Sequence, residues 1–350
     1  MQKITLHPKK IAYVAAHSGG HIIPALTHAH TAIAADKNIS ALFFASSKPL
    51  DASLLQRYKQ SEIKPIYLPL PHGPAKLADY PLFAARLALS FCISFWKLLQ
   101  HRPEKIISMG GIISLPVCLA SIFLRIPYEL YELNVQPGKA IQFLAPYAAK
   151  IAICFEQTRK FLPKSICQIT SYPLRYSVHP NQFHTQLILN ALHFCPNRIT
   201  VLILGGSQGS HFMNQLIKQW LTDHPSAHTQ IQIIHQQGSH DTFNYQHWYT
   251  HHAIPAITFP YTDDLALYYQ AADICIARAG AGTIAELQFF KTKALLIPLA
   301  TQATAHQRAN AQAAHTQDPA LFTWVEQDNP QKLYPILTAT ILNPPTLSHE

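Results

Sequence analysis

Arg198-Ile-Thr-Val-Leu-Ile-Leu204 runs straight into Gly205-Gly206-Ser207-Gln208-Gly209, and a helix-forming stretch follows to about Leu221. An unbroken apolar, β-branched run is a strand buried on both faces, which a parallel sheet covered by helices provides. The chain opens with the same syntax: Lys10-Ile-Ala-Tyr-Val-Ala-Ala16, the turn His17-Ser18-Gly19-Gly20-His21, then a helix expected from Pro24 to about Ala35. Strands are expected at Ala41–Ala45, Ile63–Leu68, Lys105–Ser108, Tyr128–Glu132 and Ile151–Phe155. In the second half they are expected at Ile231–His235, Ala256–Phe259, Ile274–Ala277 and Ala294–Pro298. Strands alternating with helices predict two doubly wound α/β domains, at 1–170 and 198–350. The stretch from Ser171 to Asn197, with three prolines and little periodicity, reads as the linker between them.

Composition narrows the partners. With 350 residues, 48% apolar and 10% aromatic, the chain holds enough for two cores, which excludes disorder and small disulfide scaffolds. Only 13% of residues are charged, the net charge is +9, and 21 histidines add positive charge below about pH 6.5. Such a balance favours phosphate-bearing or anionic partners. The basic residues form no long block and carry no zinc-finger spacing, so nucleic acid is not the expected one. Cys92, Cys118, Cys154, Cys167, Cys195 and Cys275 lie far apart without a C-x-x-C, as expected of reduced core thiols. Met1 to Lys10 has no apolar stretch of the secretory kind. Ile106 to Leu124 has nineteen residues without a charge, yet Gly110, Gly111 and Pro116 divide it into strand, turn and helix rather than a membrane span.

Four features carry chemistry. The turn Gly205–Gly209 between strand and helix lets backbone amides and a helix dipole face phosphate oxygens. The full dinucleotide fingerprint G-x-G-x-x-G is absent, which argues against a nicotinamide enzyme. Ile274-Cys-Ile-Ala-Arg278-Ala-Gly280-Ala-Gly282-Thr283-Ile-Ala-Glu286 repeats the strand, turn and helix. Here two readings stand side by side. Thr283 and Glu286 form a capping box, or a diphosphate sits at the helix start with a ribose diol on Glu286. His306-Gln307-Arg308-Ala-Asn310 offers amides and an imidazole to a sugar, or is a polar helix face. His21, in the first glycine turn, is a candidate general base because its pKa lies near working pH.

Leu82 to Leu99 is different in kind. Arg86, Ser90, Ser94 and Lys97 make one narrow polar stripe on an otherwise apolar helix that carries Phe91, Phe95 and Trp96. Such a helix is either buried in a core or lies on a membrane, where Lys76, Arg86, Lys97 and Arg102 would meet anionic lipid.

Taken in order, these motifs resemble the GT-B glycosyltransferases, and within them the family 28 enzymes that pass N-acetylglucosamine to a lipid-linked muramoyl-pentapeptide. The resemblance rests on Ser18-Gly19-Gly20-His21, Met109-Gly110-Gly111 with Ser114 and Pro116, Glu132 with Asn134, and Pro173-Leu174-Arg175. In the second half it rests on Gly205–Gly209, Asp263-Asp264, Arg278 to Glu286, and Gln307 with Asn310. It implies two Rossmann-like domains facing across a cleft, with UDP-N-acetylglucosamine bound by the C-terminal one. Binding positions carry over to Ser18, Gly19, Gly20, Asn134, Arg175, Ser207, Thr262, Ala281, Gly282, Thr283, Ile284, Ala285, Glu286 and Gln307. Glu286 would hold the ribose, Gln307 the sugar, and His21 would act as catalytic base.

The implied reaction is inverting transfer to the C4 hydroxyl of undecaprenyl-diphospho-MurNAc-pentapeptide, without cofactor or metal, at the cytoplasmic face of the inner membrane. The chain departs from the family at Ala16 and His17, Tyr131 and Leu133, Ser171 and Tyr172, Ile112 and Leu115, mostly in the acceptor half. Three rivals are a transferase for another lipid such as diacylglycerol, a UDP-N-acetylglucosamine 2-epimerase, and a non-catalytic nucleotide-sugar-binding membrane protein.

Overall fold

The structure is a computed structural model that describes residues 9–16, 19–58, 61–70, 76–162, 166–176, 185–206, 208–299 and 305–342. The chain divides into two compact units, Met1–Arg175 and Tyr176–Glu350.

In the first unit the described elements are β1 (Lys9–Val14), α1 (Gly19–Ala35), β2 (Ile39–Ser46), α2 (Pro49–Arg57), β3 (Ile63–Leu68), α3 (Tyr80–His101) and β4 (Lys105–Ser108). They continue with α4 (Ser114–Phe123), β5 (Tyr128–Glu132), α5 (Lys139–Leu144), β6 (Lys150–Ile153) and β7 (Cys167–Ile169). The seven strands pair in parallel in the order β3-β2-β1-β4-β5-β6-β7. Sequence order therefore reverses between β1 and β4. Ala12, Val14, Phe44, Ile106, Val117 and Leu130 lie in the core against one face of this sheet, and each is fully or nearly fully buried.

The second unit holds α6 (Thr185–Ala191), β8 (Ile199–Leu204), α7 (His211–Asp223), β9 (Ile231–Gln236), α8 (Tyr245–His251), β10 (Ala256–Phe259) and α9 (Ala266–Ala271). It continues with β11 (Ile274–Ala277), α10 (Ala281–Phe290), β12 (Ala294–Leu296), α11 (Ala305–Gln317), β13 (Phe322–Trp324) and α12 (Pro330–Leu342). Its sheet is parallel with the order β10-β9-β8-β11-β12-β13, so the reversal falls between β8 and β11. Ile203, Ile233, Ile276 and Trp220 fill the core beside it.

The strand expectations hold to within two residues, but four details differ. Helix α1 begins at Gly19, so Pro24 lies inside it, and His21 belongs to the helix's first turn rather than to the preceding loop. Pro24 is the sixth helical residue, so the backbone bond it cannot donate belongs to the second turn. The edge strands β7 and β13 are three residues each, too short for a periodic signal. The stretch read as linker carries α6. Of the six cysteines only Cys118 and Cys275 are buried, while Cys92 and Cys195 are exposed, because Cys92 falls on the outer face of α3.

Helix α3 covers its sheet with an unexpected side. Ser90, Ser94 and Leu98 are its buried residues, and Ser94 Oγ turns back to donate to the Ser90 carbonyl at 2.7 Å. The polar stripe therefore faces inward along much of its length. Phe91 and Phe95 are only partly buried and pack against the core, whereas Leu82, Leu89, Trp96 and Leu99 are exposed, Trp96 by 65%. Phe123, 72% exposed on α4, meets Phe91 edge-on and extends the same apolar surface.

Candidate functional site

Parallel strands put all their carboxyl ends on one edge, and where strand order reverses the two neighbouring loops part to leave a crevice. Both reversals in this chain carry the residues that the motifs single out.

In the first unit the flanking turns follow β1 and β4. Met109 N donates to Val14 O at 2.9 Å, closing the pair. Gly110 and Gly111 adopt φ of +82° and +80°, and a Cβ on Gly110 would lie 2.9 Å from Ile141 Cγ1. A Cβ on Gly111 would stand 3.8 Å from His21 Nδ1, so the imidazole at the start of α1 reaches the second glycine turn. That turn is fixed from below: Ser108 Oγ donates to Ser114 Oγ at 2.6 Å, and Ser114 Oγ to the Gly110 carbonyl at 2.7 Å. Gly19 and Gly20 lie beside His21 in the same helix turn, while Ser18 lies outside the described residues.

Two further residues organise this edge. Glu132, at the end of β5, is buried and accepts from Asn134 N at 2.9 Å, Asn134 Nδ2 at 3.3 Å and Gly138 N at 3.0 Å. Its carboxylate thus shapes the loop that presents Asn134, and burial pushes its pKa up to about 7. Tyr131, where the family pattern has histidine, joins a buried chain in which His28 Nε2 stands 2.9 Å from Tyr131 Oη and His28 Nδ1 3.1 Å from Tyr13 Oη. Desolvation lowers the His28 pKa, so the imidazole bridges the two phenols in its neutral form. Arg175 ends the unit, after β7.

In the second unit the turns after β8 and β11 flank the reversal, and Arg278 N donates to Leu204 O at 3.2 Å. Gly209, at φ +78°, lies back to back with Gly238: a Cβ on it would come within 2.5 Å of Gln237 O and Gly238 Cα. Helix α7 is capped, since Ser210 Oγ accepts from Met213 N at 3.4 Å. Helix α10 is not. Its N-cap is Gly280, which has no side chain to offer, and Thr283 is the third helical residue rather than the cap. The capping-box reading of Thr283 and Glu286 therefore fails, and the first-turn amides at Ala281 and Gly282 lie at the positive end of the helix with no N-cap side chain to accept from them. Ile284 is buried beneath this turn, and Ala285 is half-buried.

Side chains around α10 hold it in place. Arg278 is buried, donating from one terminal nitrogen to Ile297 O at 3.0 Å and from the other to Ser210 Oγ at 2.7 Å. Desolvation lowers its pKa to about 10, which leaves a full positive charge at neutral pH on this edge of the sheet. Asn310 Nδ2 donates to Ala279 O at 3.3 Å, tying α11 to the turn, and Gln307 Oε1 accepts from Leu299 N at 3.1 Å. Arg308 turns away to pair with Glu326 at 2.6 Å. Thr262 lies in the loop after β10, its hydroxyl engaged with Asp264. Ser207 lies outside the described residues. Glu286 Oε2 accepts from Tyr269 Oη at 2.8 Å. Tyr269 has no motif around it, and the serine, apolar and polar pattern at Ser210–Asn214 is the one signal that would have exposed the α7 cap.

A model of the glycosyltransferase family 28 N-terminal domain matches residues 11–153, and one of the family 28 C-terminal domain matches residues 200–349. The UDP-N-acetylglucosamine–N-acetylmuramyl-(pentapeptide) pyrophosphoryl-undecaprenol N-acetylglucosamine transferase of Trichlorobacter lovleyi is 30% identical over 317 residues, spanning 87% of this chain and 82% of its own. The enzyme of the same name from Thermotoga neapolitana is 29% identical over 342 residues, spanning 95% and 92%. Among solved structures, Acinetobacter baumannii MurG superposes with a TM-score of 0.72 at 22% identity, covering 95% of this chain and 91% of that one. The Neisseria meningitidis UDP-GlcNAc 2-epimerase, solved with UDP-GlcNAc bound, gives 0.62 at 12% identity, covering 96% and 92%. These two likenesses concern the fold.

Glu132 supplies a pH test. Its folded pKa of about 7 stands above the ordinary 4.5, so the folded protein keeps a proton that the unfolded chain gives up. The stability this provides is complete below the unfolded value and is lost as pH rises through the folded one. Denaturant unfolding of wild type and Glu132→Gln between about pH 4 and 8 is expected to show wild type losing stability relative to the variant over that window. Parallel curves would mean that the Glu132 carboxyl titrates alike in the folded and unfolded chain. By its two domains, their strand orders and its relatives, the chain belongs to glycosyltransferase family 28 and has the GT-B fold.

Proposed function

We propose that this enzyme transfers N-acetylglucosamine from UDP-N-acetylglucosamine to the C4 hydroxyl of undecaprenyl-diphospho-MurNAc-pentapeptide, making the disaccharide lipid of peptidoglycan synthesis. The observation that carries the reading is the uncapped start of α10 beside buried, cationic Arg278, with Glu286 on the same helix. Amides at Ala281, Gly282 and Thr283 face the diphosphate, Glu286 accepts from the ribose hydroxyls, and Gln307 and Thr262 border the sugar and base. The relatives whose names state this reaction support the acceptor.

The chemistry follows from these placements. The acceptor C4 oxygen attacks the anomeric carbon from the face opposite UDP, and the bond from that carbon to the β-phosphate oxygen breaks. Its electron pair leaves with UDP, where helix amides and Arg278 lower the energy of the growing negative charge. His21 takes the hydroxyl proton, and Gly111, with no side chain, leaves its imidazole room. Asn134, on the loop that Glu132 shapes, Arg175, Ser18 and Ser207 are carried over from the family's pattern as further substrate-binding positions.

Helix α3 brings the enzyme to the lipid. It is long and apolar enough to cross a bilayer, yet Ser90, Ser94 and Leu98 are packed into the first unit, so crossing would tear it from its sheet. Lying flat, it presents Leu82, Leu89, Trp96 and Leu99 to the acyl boundary, with Lys76, Arg86 and Arg102 exposed nearby for anionic headgroups. The acceptor's tail stays in the bilayer, which supports a peripheral position for the protein at the cytoplasmic face of the inner membrane.

One assay tests the acceptor: labelled UDP-N-acetylglucosamine with the muramoyl-pentapeptide lipid, with diacylglycerol, and with no lipid. Labelled product and UDP are expected with the first alone; glycosylated diacylglycerol, or an epimerised sugar without lipid, would refute the assignment. A second experiment addresses the membrane. Leu89→Glu combined with Trp96→Glu is expected to weaken binding to anionic vesicles by at least about tenfold while UDP affinity stays unchanged. Undiminished vesicle binding would take α3 out of the contact.

A further inference from the structure

Glu286 is a long side chain on a half-exposed helix face, and a carboxylate that must meet two hydroxyls at once needs to be held still. One hold on it comes from α9. Tyr269 is fully buried, and its Oη donates to Glu286 Oε2 at 2.8 Å. The phenol has little freedom to swing away. Its ring stacks on Phe290 at 5.2 Å with an interplanar angle of 15°, and its carbonyl accepts from Thr292 Oγ1 at 3.0 Å. Phe290 ends the same helix that carries Glu286, so ring and carboxylate are fixed to one body.

Tyr176 braces the arrangement from the side. Its ring meets Phe290 edge-on at 5.0 Å, and its Oη accepts from Leu265 N, at the start of α9, at 3.3 Å. The helices bearing the donor and the acceptor of the Tyr269–Glu286 bond are thus joined through a second tyrosine. Burial and the neighbouring Glu286 charge raise the Tyr269 pKa well above its ordinary value, so the phenol remains a donor at every working pH.

We infer that Tyr269 is a positioning residue that orients the Glu286 carboxylate for the nucleotide's ribose diol, and so sets the preference for a ribose-bearing donor without touching it. The inference rests on the assignment of Glu286 to the ribose. It differs from plain core packing because the hydroxyl, rather than the ring, is the working part. Tyr269→Phe keeps the ring stacked on Phe290 and removes only the donated hydrogen bond.

The test is calorimetric binding of UDP and of 2′,3′-dideoxy-UDP to the full chain as wild type, Tyr269→Phe and Glu286→Gln. Tyr269→Phe is expected to weaken UDP by about fivefold to tenfold, the scale of one hydrogen bond to a charged group, and the dideoxy nucleotide by less than about twofold. With donor saturating, kcat should stay within about twofold of wild type, since the lost interaction is made equally before and at the transition state. Equal losses for both nucleotides, or no loss for either, would overturn the positioning role while Glu286→Gln still discriminates between them. If Glu286→Gln does not discriminate either, the ribose assignment itself falls and this role for Tyr269 falls with it.

Discussion

A parallel sheet cannot be wound from its first strand outward in both directions without reversing once, and the reversal is where backbone on neighbouring strands separates. In each unit that point lies beside the strand that begins it, β1 in one and β8 in the other. The turns after β1, β4, β8 and β11 leave the sheets at the carboxyl edge that this topology creates, and most of the described groups assigned a chemical role lie in or just after them. The glycines mark the strand pairs beside the reversal, β4 with β5 and β8 with β9, whose connections stay close together. Gly110 and Gly209 stand where two loops leave adjacent strands so closely that a single methyl would strike Ile141 or the backbone at Gly238.

The two glycine turns of the second unit look alike in sequence and differ in electrostatics. After β8, Ser210 satisfies the start of α7 and also takes one arm of Arg278. After β11, α10 starts bare at Gly280, with its amides unanswered by any cap side chain. Arg278 links them, placing a desolvated cation near the bare helix end, and on that pairing the proposed diphosphate site rests.

The central strands β1, β2, β8 and β11 were legible because each is a mostly unbroken apolar run, and two such runs leading into glycine turns announced the paired architecture. Helix boundaries were less so. Pro24 looks like a helix start, yet Gly19 already lies in the helix, and this moved His21 from loop to helix. The composition of α3 showed that it was unusual but not which side faces in. The Ser94 hydroxyl folds back on its own helix, so part of a polar stripe can be buried without a partner from elsewhere, while the Ser90 hydroxyl is buried with no hydrogen-bond partner among the described residues. Tyr269 could not have been found from spacing at all, since its partner lies seventeen residues on and is reached through a turn, a strand and a helix. The departures at Tyr131 and Leu133 have different standing: Tyr131 finds a place in the buried Tyr13–His28–Tyr131 chain, and Leu133 is simply buried.

Donor binding in this enzyme depends above all on the bare start of α10 as the proposed diphosphate site. Site-resolved amide hydrogen exchange at Ala281, Gly282 and Thr283, with uridine and then with UDP, addresses it directly. Exchange at these amides should slow with UDP and change little with uridine, while the already capped start of α7 is nearly indifferent. Slowing confined to the turn before α7, or equal slowing with uridine, would contradict it.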